Sequence, residues 1–105
     1  MIVEVRTYKI KRGSRTQIEE LIRTRLFDEL KRIGVKCAGP WHSPLDDQSL
    51  VWLRGFPDEE TRQTMNNRFY GGAFWEEEMA DQILPHLEGH SVVVVEMDEA
   101  AVRWS

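Results

Sequence analysis

The central segment VKCAGPWHSPLDDQSLVWLRGF (residues 35–56) decides the fold. It reads as two strands, Val35 to Ser43 and Leu50 to Phe56, separated by the turn-forming run Pro44-Leu45-Asp46-Asp47-Gln48-Ser49. Strands joined by a short polar loop pair most simply as an antiparallel hairpin. Pro40 removes a ladder donor, so the first of these strands belongs at a sheet edge or carries an irregularity there.

On each side of the hairpin the pattern is one strand and one helical region. Before it, Val3, Val5 and Thr7 alternate with Glu4, Arg6, Tyr8 and Ile10, which predicts a strand over Ile2 to Ile10, closed by Gly13. Ser14 and Gln17 have the spacing of a capping box. Ile18, Leu21, Ile22, Leu26, Leu30 and Ile33 then recur at helical spacing up to Gly34, a natural stop. After the hairpin, Asp58 caps a helix carrying Met65 and Phe69, and Gly71-Gly72 breaks it. A second apolar stripe runs through Phe74, Trp75, Met79, Ile83, Leu84 and Leu87, and Pro85 ends or kinks that helix. The acids Glu76, Glu77 and Glu78 suit a helix start. Val92-Val93-Val94-Val95 is the fourth strand. The order β-α-β-β-α-β predicts an α+β, ferredoxin-like domain: a four-stranded antiparallel sheet with helices on one face.

At 105 residues the chain is one domain, 1–105, with 98–105 as a C-terminal tail. It is 41% hydrophobic and 30% charged, the composition of a soluble globular protein. A net charge of −4 argues against general binding to nucleic-acid phosphates or anionic lipid. The single cysteine, Cys37, excludes an internal disulfide and a Cys-cluster zinc site, and reads as an inert small hydrophobe. No apolar run approaches a membrane span and no signal peptide precedes the charged start, so the expected compartment is the cytoplasm.

Leu50 to Leu53 and Val92 to Val95 are unbroken apolar runs, so both faces of those strands are expected to be buried. One chain this short has no second layer for the outer face. The economical solution is a homodimer that packs sheet against sheet; the competing one is partial cover by the tail, whose Trp104 is also a candidate to reach across to the partner.

Several motifs together resemble the NIPSNAP family. They are Glu4-x-Arg6-Thr7-Tyr8 with Lys11-Arg12-Gly13, Gly39-Pro40-Trp41, Val51-Trp52-Leu53-Arg54 followed by Asp58-Glu59-Glu60-Thr61-Arg62, and Phe69-Tyr70-Gly71-Gly72 with Phe74-Trp75. The resemblance runs from Ile2 to Met97 and implies a dimeric α/β barrel, in which two ferredoxin-like subunits pair through their sheets. The wider superfamily includes cofactor-independent monooxygenases, haem-degrading enzymes and isomerases that use a pocket between sheet and helices.

For such a pocket, strand alternation puts Arg6 with Tyr8 and Trp52 with Arg54 on shared faces. Guanidinium groups among aromatic walls grip a carboxylate or phenolate. The alternative is a structural pairing of Arg6 with Glu4 and a core role for Trp52. Trp41 is a candidate wall and His42 a candidate general base, but as strand neighbours they point to opposite faces, and with no partner for it visible in the sequence His42 reads more readily as a surface side chain on an edge strand. Tyr70 and Trp75 flank Gly71-Gly72, which lets both rings turn towards one cavity or simply fill a helix corner; Tyr70 is the second candidate for proton transfer. His86 and His90 are four apart, but Pro85 and Gly89 oppose a continuous helix and a third ligand is lacking, so no metal and no cofactor is expected. The functional expectation is a dimer holding a small aromatic or acidic molecule, either as a monooxygenase or proton-transfer enzyme or as a non-catalytic binding or protein-interaction module.

Overall fold

Strand β1 (Ile2–Ile10) is paired on both edges, with one irregularity towards β4 between Lys9 and Ile10. It pairs antiparallel with β3 (Ser49–Phe56) on one side and with β4 (Leu87–Glu96) on the other. Strand β2 (Lys36–His42) pairs antiparallel with β3, so the sheet order is β2-β3-β1-β4. The computed structural model describes residues 1–105. As Pro40 requires, β2 is an edge strand, and its register with β3 shifts between Ala38 and Trp41.

The first helix, α1, covers 15–32 as Arg15–Leu21, Ile22–Leu26 and Phe27–Arg32, and its middle segment is π-helical. Its buried face carries Ile18, Ile22, Leu26, Phe27 and Leu30. The expected capping box does not form. Ser14 makes no cap bond: its backbone is already helical, at φ −104° and ψ −9°, and its hydroxyl is turned to His86 Nδ1 at 3.0 Å. The other end stops as expected: Gly34 takes φ +95°, Gly34 N bonds Lys31 O and Val35 N bonds Leu30 O, a Schellman pair that satisfies two terminal carbonyls.

Helix α2 is Glu59–Tyr70, capped by Asp58, whose carboxylate accepts from Thr61 N at 2.7 Å. Helix α3 covers 74–83, a π-helical Phe74–Met79 followed by Ala80–Ile83, and Pro85 lies in a 3-10 turn, Leu84–His86, that leads into β4. The helices close one sheet face over a core that includes Tyr8, Ile10, Leu50, Trp52 and Phe56 from the strands and Ile18, Leu26, Phe69, Met79 and Ile83 from the helices. Each such burial is worth about 1.5–3 kcal/mol before conformational entropy is set against it.

Two expectations need correction. The fourth strand is ten residues long, Leu87–Glu96, rather than the Val92–Val95 run. The polar, glycine-containing half Glu88-Gly89-His90-Ser91 is held extended by its ladder to β1, which local propensity does not reveal. Nor is the run buried within one chain: Val92, Val93 and Val94 are 38%, 57% and 43% exposed, because β4 is an edge strand. On the face away from the helices, the register aligns Val5 with Leu53 and Val93, and Thr7 with Val51 and Ser91, an open, largely apolar strip that Trp41 extends along β2.

One end of that open face is covered by the chain itself. A Cβ on Gly55 would lie 2.7 Å from the Trp104 ring. Trp104 Nε1 donates to Glu99 O at 3.0 Å, Ser105 N donates to Cys37 O at 2.8 Å, and Lys36 Nζ pairs with Glu99 at 2.9 Å. Trp104 therefore packs on its own sheet, which corrects the expectation that it reaches across to a partner.

Candidate functional site

Side-chain alternation in β1 and β3 aims Glu4, Arg6, Tyr8, Trp52 and Arg54 at the helices, and the antiparallel register sets Glu4 opposite Arg54 and Arg6 opposite Trp52. The two arginines thus lie diagonally across two neighbouring strands. Both are buried, Arg6 at 7% exposure and Arg54 at 1%.

Their environments differ. Arg6 is paired with Glu4: Nε donates to Oε1 at 2.9 Å and Nη2 lies 2.9 Å from the same oxygen. Glu4 Oε2 also accepts from Arg62 Nη1 at 3.0 Å and Asn66 Nδ2 at 2.7 Å. Burial is the largest influence on the Glu4 carboxyl and pushes its pKa up, but Arg6, Asn66, Arg54 and Arg62 together outweigh it and hold the group below its usual range. Arg54 has neutral partners only. Nη1 donates to Asn66 Oδ1 at 3.1 Å and Nη2 to the Tyr70 hydroxyl at 2.9 Å, while Nε has no partner. Three ring faces surround its guanidinium, with Trp52, Phe69 and Tyr70 centroids at 4.7, 5.1 and 5.3 Å. Cation–π contacts of this kind offset part of the desolvation cost, each by about 0.5–2 kcal/mol.

Beside these groups lies a cavity of about 160 Å³ between sheet and helices. Arg6, Arg54, Tyr8 and Tyr70 supply its polar and aromatic side, and Trp75, Leu26, Ile83, Leu84 and Leu87 its apolar side, with the exposed His90 completing the wall. Its size is about that of a cavity that takes one benzene ring. Two of the lining residues, Leu26 and Trp75, belong to the π-helical turns of α1 and α3. An ion pair, Arg25 to Glu78 at 3.0 Å, joins these turns. Such turns displace side chains from regular helical spacing and recur at binding sites.

Of the residues singled out from the sequence, Arg6, Tyr8, Arg54, Tyr70 and Trp75 converge on this cavity. Trp52 is fully buried behind it, packed against Phe27 and Tyr8 at centroid distances of 5.8 and 6.1 Å, so the core role is real and the ring also forms a bed for both guanidinium groups. The two readings of Arg6 likewise coexist, since it pairs with Glu4 and still lines the cavity.

Trp41 and His42 are not brought to the cavity. Trp41 stands opposite Val51 on the open face and is 51% exposed. His42 lies on the edge strand β2, where its Nδ1 contacts Glu19 at 3.0 Å, whereas the cavity is bordered by β1, β3 and β4. His86 and His90 part company: His86 bonds Ser14, and His90 stands opposite Tyr8 with its ring edge-on at 6.5 Å. No group of three or more His, Cys, Asp or Glu side chains is placed to share a cation.

Sequence reasoning did not identify Asn66 and Arg62, which organise the ion network, or His90 in the wall. Asn66 and Arg62 lie one helical turn apart on α2, a spacing that could have raised the pair. His90 became legible only once β4 extended past its valines.

No family model matches the chain, and no curated protein matches it by sequence. Its fold is that of solved NIPSNAP-family structures. An uncharacterized NIPSNAP domain protein from Burkholderia xenovorans superimposes with a TM-score of 0.79 at 21% identity over 94% of this chain and 96% of that one. A NIPSNAP-like domain protein from the same organism gives 0.82 at 16% identity, covering 99% and 90%. A putative antibiotic biosynthesis monooxygenase from Nitrosomonas europaea gives 0.70 at 13% identity, covering 92% and 98%. The ferredoxin-like α+β architecture expected from the element order is therefore shared with NIPSNAP proteins and with that monooxygenase, and no helix is long and apolar enough to cross a membrane.

Proposed function

We propose that this chain is a NIPSNAP-type subunit of a homodimer and that it binds a small organic acid, with a planar apolar body, in the cavity between sheet and helices. The observation that carries this reading is Arg54: a guanidinium at 1% exposure, without a carboxylate partner, on the wall of a cavity. A buried charge is costly unless paired, so an anionic group entering the cavity gains more there than in water. The unpartnered Nε of Arg54 weighs in the same direction.

The chemistry available is proton transfer at Tyr70. Its oxygen accepts from Arg54, which leaves the hydroxyl proton free to be given to an oxygen of the ligand. Oxygenation of an acidic aromatic substrate is the activity class that the monooxygenase neighbour suggests, and it rests on fold analogy. The dimer rests on the open strip of Val5, Val51, Leu53, Val93 and Trp41, whose burial against a second copy of the same strip is favourable.

The test is titration of the protein with benzoate, read by native mass spectrometry and calorimetry. Stoichiometric binding, lost in Arg54→Ala and weakened in Arg6→Ala, is expected. Absence of binding by small aromatic acids, with both variants behaving as the wild type, would overturn the reading.

A further inference from the structure

We infer that the cavity is matched to a ligand carrying one negative charge, and that Glu4, which does not line the cavity, sets that number. The inference rests on the binding reading above and specifies the charge of the ligand.

Charge bookkeeping around the cavity is unequal. Three guanidinium groups, Arg6, Arg54 and Arg62, stand against two carboxylates, Glu4 and Glu59. Glu59 is engaged by Arg62, with contacts of 2.6 and 2.8 Å. Both Glu4 oxygens are taken, Oε1 by Arg6 and Oε2 by Arg62 and Asn66. Arg54, opposite Glu4 in register but in direct contact with no carboxylate, is the one positive charge in excess in this count. A monoanion neutralises it. A dianion leaves its second negative charge without a partner in the cavity, which is costly, and a neutral ligand leaves Arg54 as it was and gains nothing from it.

Asn66 connects the two halves of the network. Its Nδ2 donates to Glu4 Oε2 at 2.7 Å and its Oδ1 accepts from Arg54 Nη1 at 3.1 Å. The ionised Glu4 accepts only, so it fixes the amide with the oxygen towards Arg54. Glu4 is thus a positioning residue: it holds Arg6 directly, orients Arg54 through Asn66, and fixes the net charge offered to the cavity.

The test uses three phenyl compounds whose tetrahedral head groups are nearly equal in size: benzenesulfonamide (neutral), benzenesulfonate (one negative charge) and phenylphosphonate at alkaline pH (two). In the wild type, benzenesulfonate is expected to bind at least about tenfold more tightly than either of the others, a difference of ~1.4 kcal/mol. Glu4→Gln adds one uncompensated positive charge and should turn the preference towards phenylphosphonate. Arg54→Gln should abolish the preference for an anion over the sulfonamide. If the wild type binds phenylphosphonate as tightly as benzenesulfonate, or folded Glu4→Gln keeps the sulfonate preference, the charge-matching inference is overturned while anion binding stands. Equal affinity for sulfonamide and sulfonate, or binding of none of the three, overturns both. Should Glu4→Gln fail to fold, the wild-type series and Arg54→Gln decide the matter alone.

Discussion

Arg54 Nη2 donates to the Tyr70 hydroxyl at 2.9 Å, and this bond ties a central strand to the last residue of α2 at the wall of the cavity. Removing the hydroxyl leaves the buried guanidinium one acceptor short. Tyr70→Phe is expected to cost about 1–3 kcal/mol of stability, the penalty of an unsatisfied buried donor. It should also weaken binding of benzoate by about tenfold, equivalent to ~1.4 kcal/mol. Thermal melts and calorimetric titration of the same variant separate the two effects.

Acid should unfold the protein through its paired carboxylates. Glu4 is held below its usual value of 4.5, and Asp46 and Glu59 are both lowered to about 2, Asp46 by bonds from Ser49 and Gln48 and Glu59 by bonds from Arg62 and Gln63. A folded-state pKa below the unfolded one means that the native state binds fewer protons. The stability these groups contribute is complete above the ordinary carboxylate range, about pH 5, and is lost as pH falls towards 2. Melting temperature should therefore be flat above that range and fall steadily below it. In Glu4→Gln the fall should be shallower, and an unchanged slope would remove Glu4 from this account.

The contact of Gly55 with Trp104 can be tested by a double-mutant cycle. Gly55→Ala places a methyl group 2.7 Å from the indole ring and should destabilise the chain by about 1–3 kcal/mol, the usual cost of overpacking. In a Trp104→Ala background the methyl meets only the flexible end of Met1, 3.2 Å away, and most of the penalty should disappear. A penalty that persists would locate the strain elsewhere than the tail.

The open strip predicts that Val93→Lys, at a position 57% exposed within the chain, leaves the fold intact but abolishes dimerisation. Sedimentation of wild type and variant across a dilution series reads this directly. A wild type that sediments as a folded single chain at every concentration removes the dimer from the proposal.

Cys37 should report global opening. Its thiol is buried and its pKa is pushed up to about 11 by burial, against the opposing influence of Arg54 and Lys31. Reaction with a thiol reagent near neutral pH should be slow and should accelerate only with denaturant, because the thiolate is the reactive form. Fast labelling under native conditions would contradict that burial.

Much of the site was legible because strand alternation is a local rule. Arg6 with Tyr8, and Trp52 with Arg54, share faces whatever the rest of the chain does, and the structure brings them together. Tyr70 and Trp75 were legible from the glycine pair that separates their helices. Trp41 and His42 were not placed correctly by such rules. Being neighbours says that they diverge, but not that the cavity forms away from β2, near β4.

The sequence by itself determined the element order, the antiparallel hairpin, the Asp58 cap and the Gly34 stop, since periodicity and terminal chemistry act over one or two turns of chain. Only the tertiary structure decided that Ser14 serves His86 instead of its own helix, that β4 extends through its polar half, that Trp104 folds onto Gly55, and that Glu4 is saturated while Arg54 is not. Those outcomes depend on which distant groups compete for one partner. That competition is settled by packing, and local sequence carries no record of it.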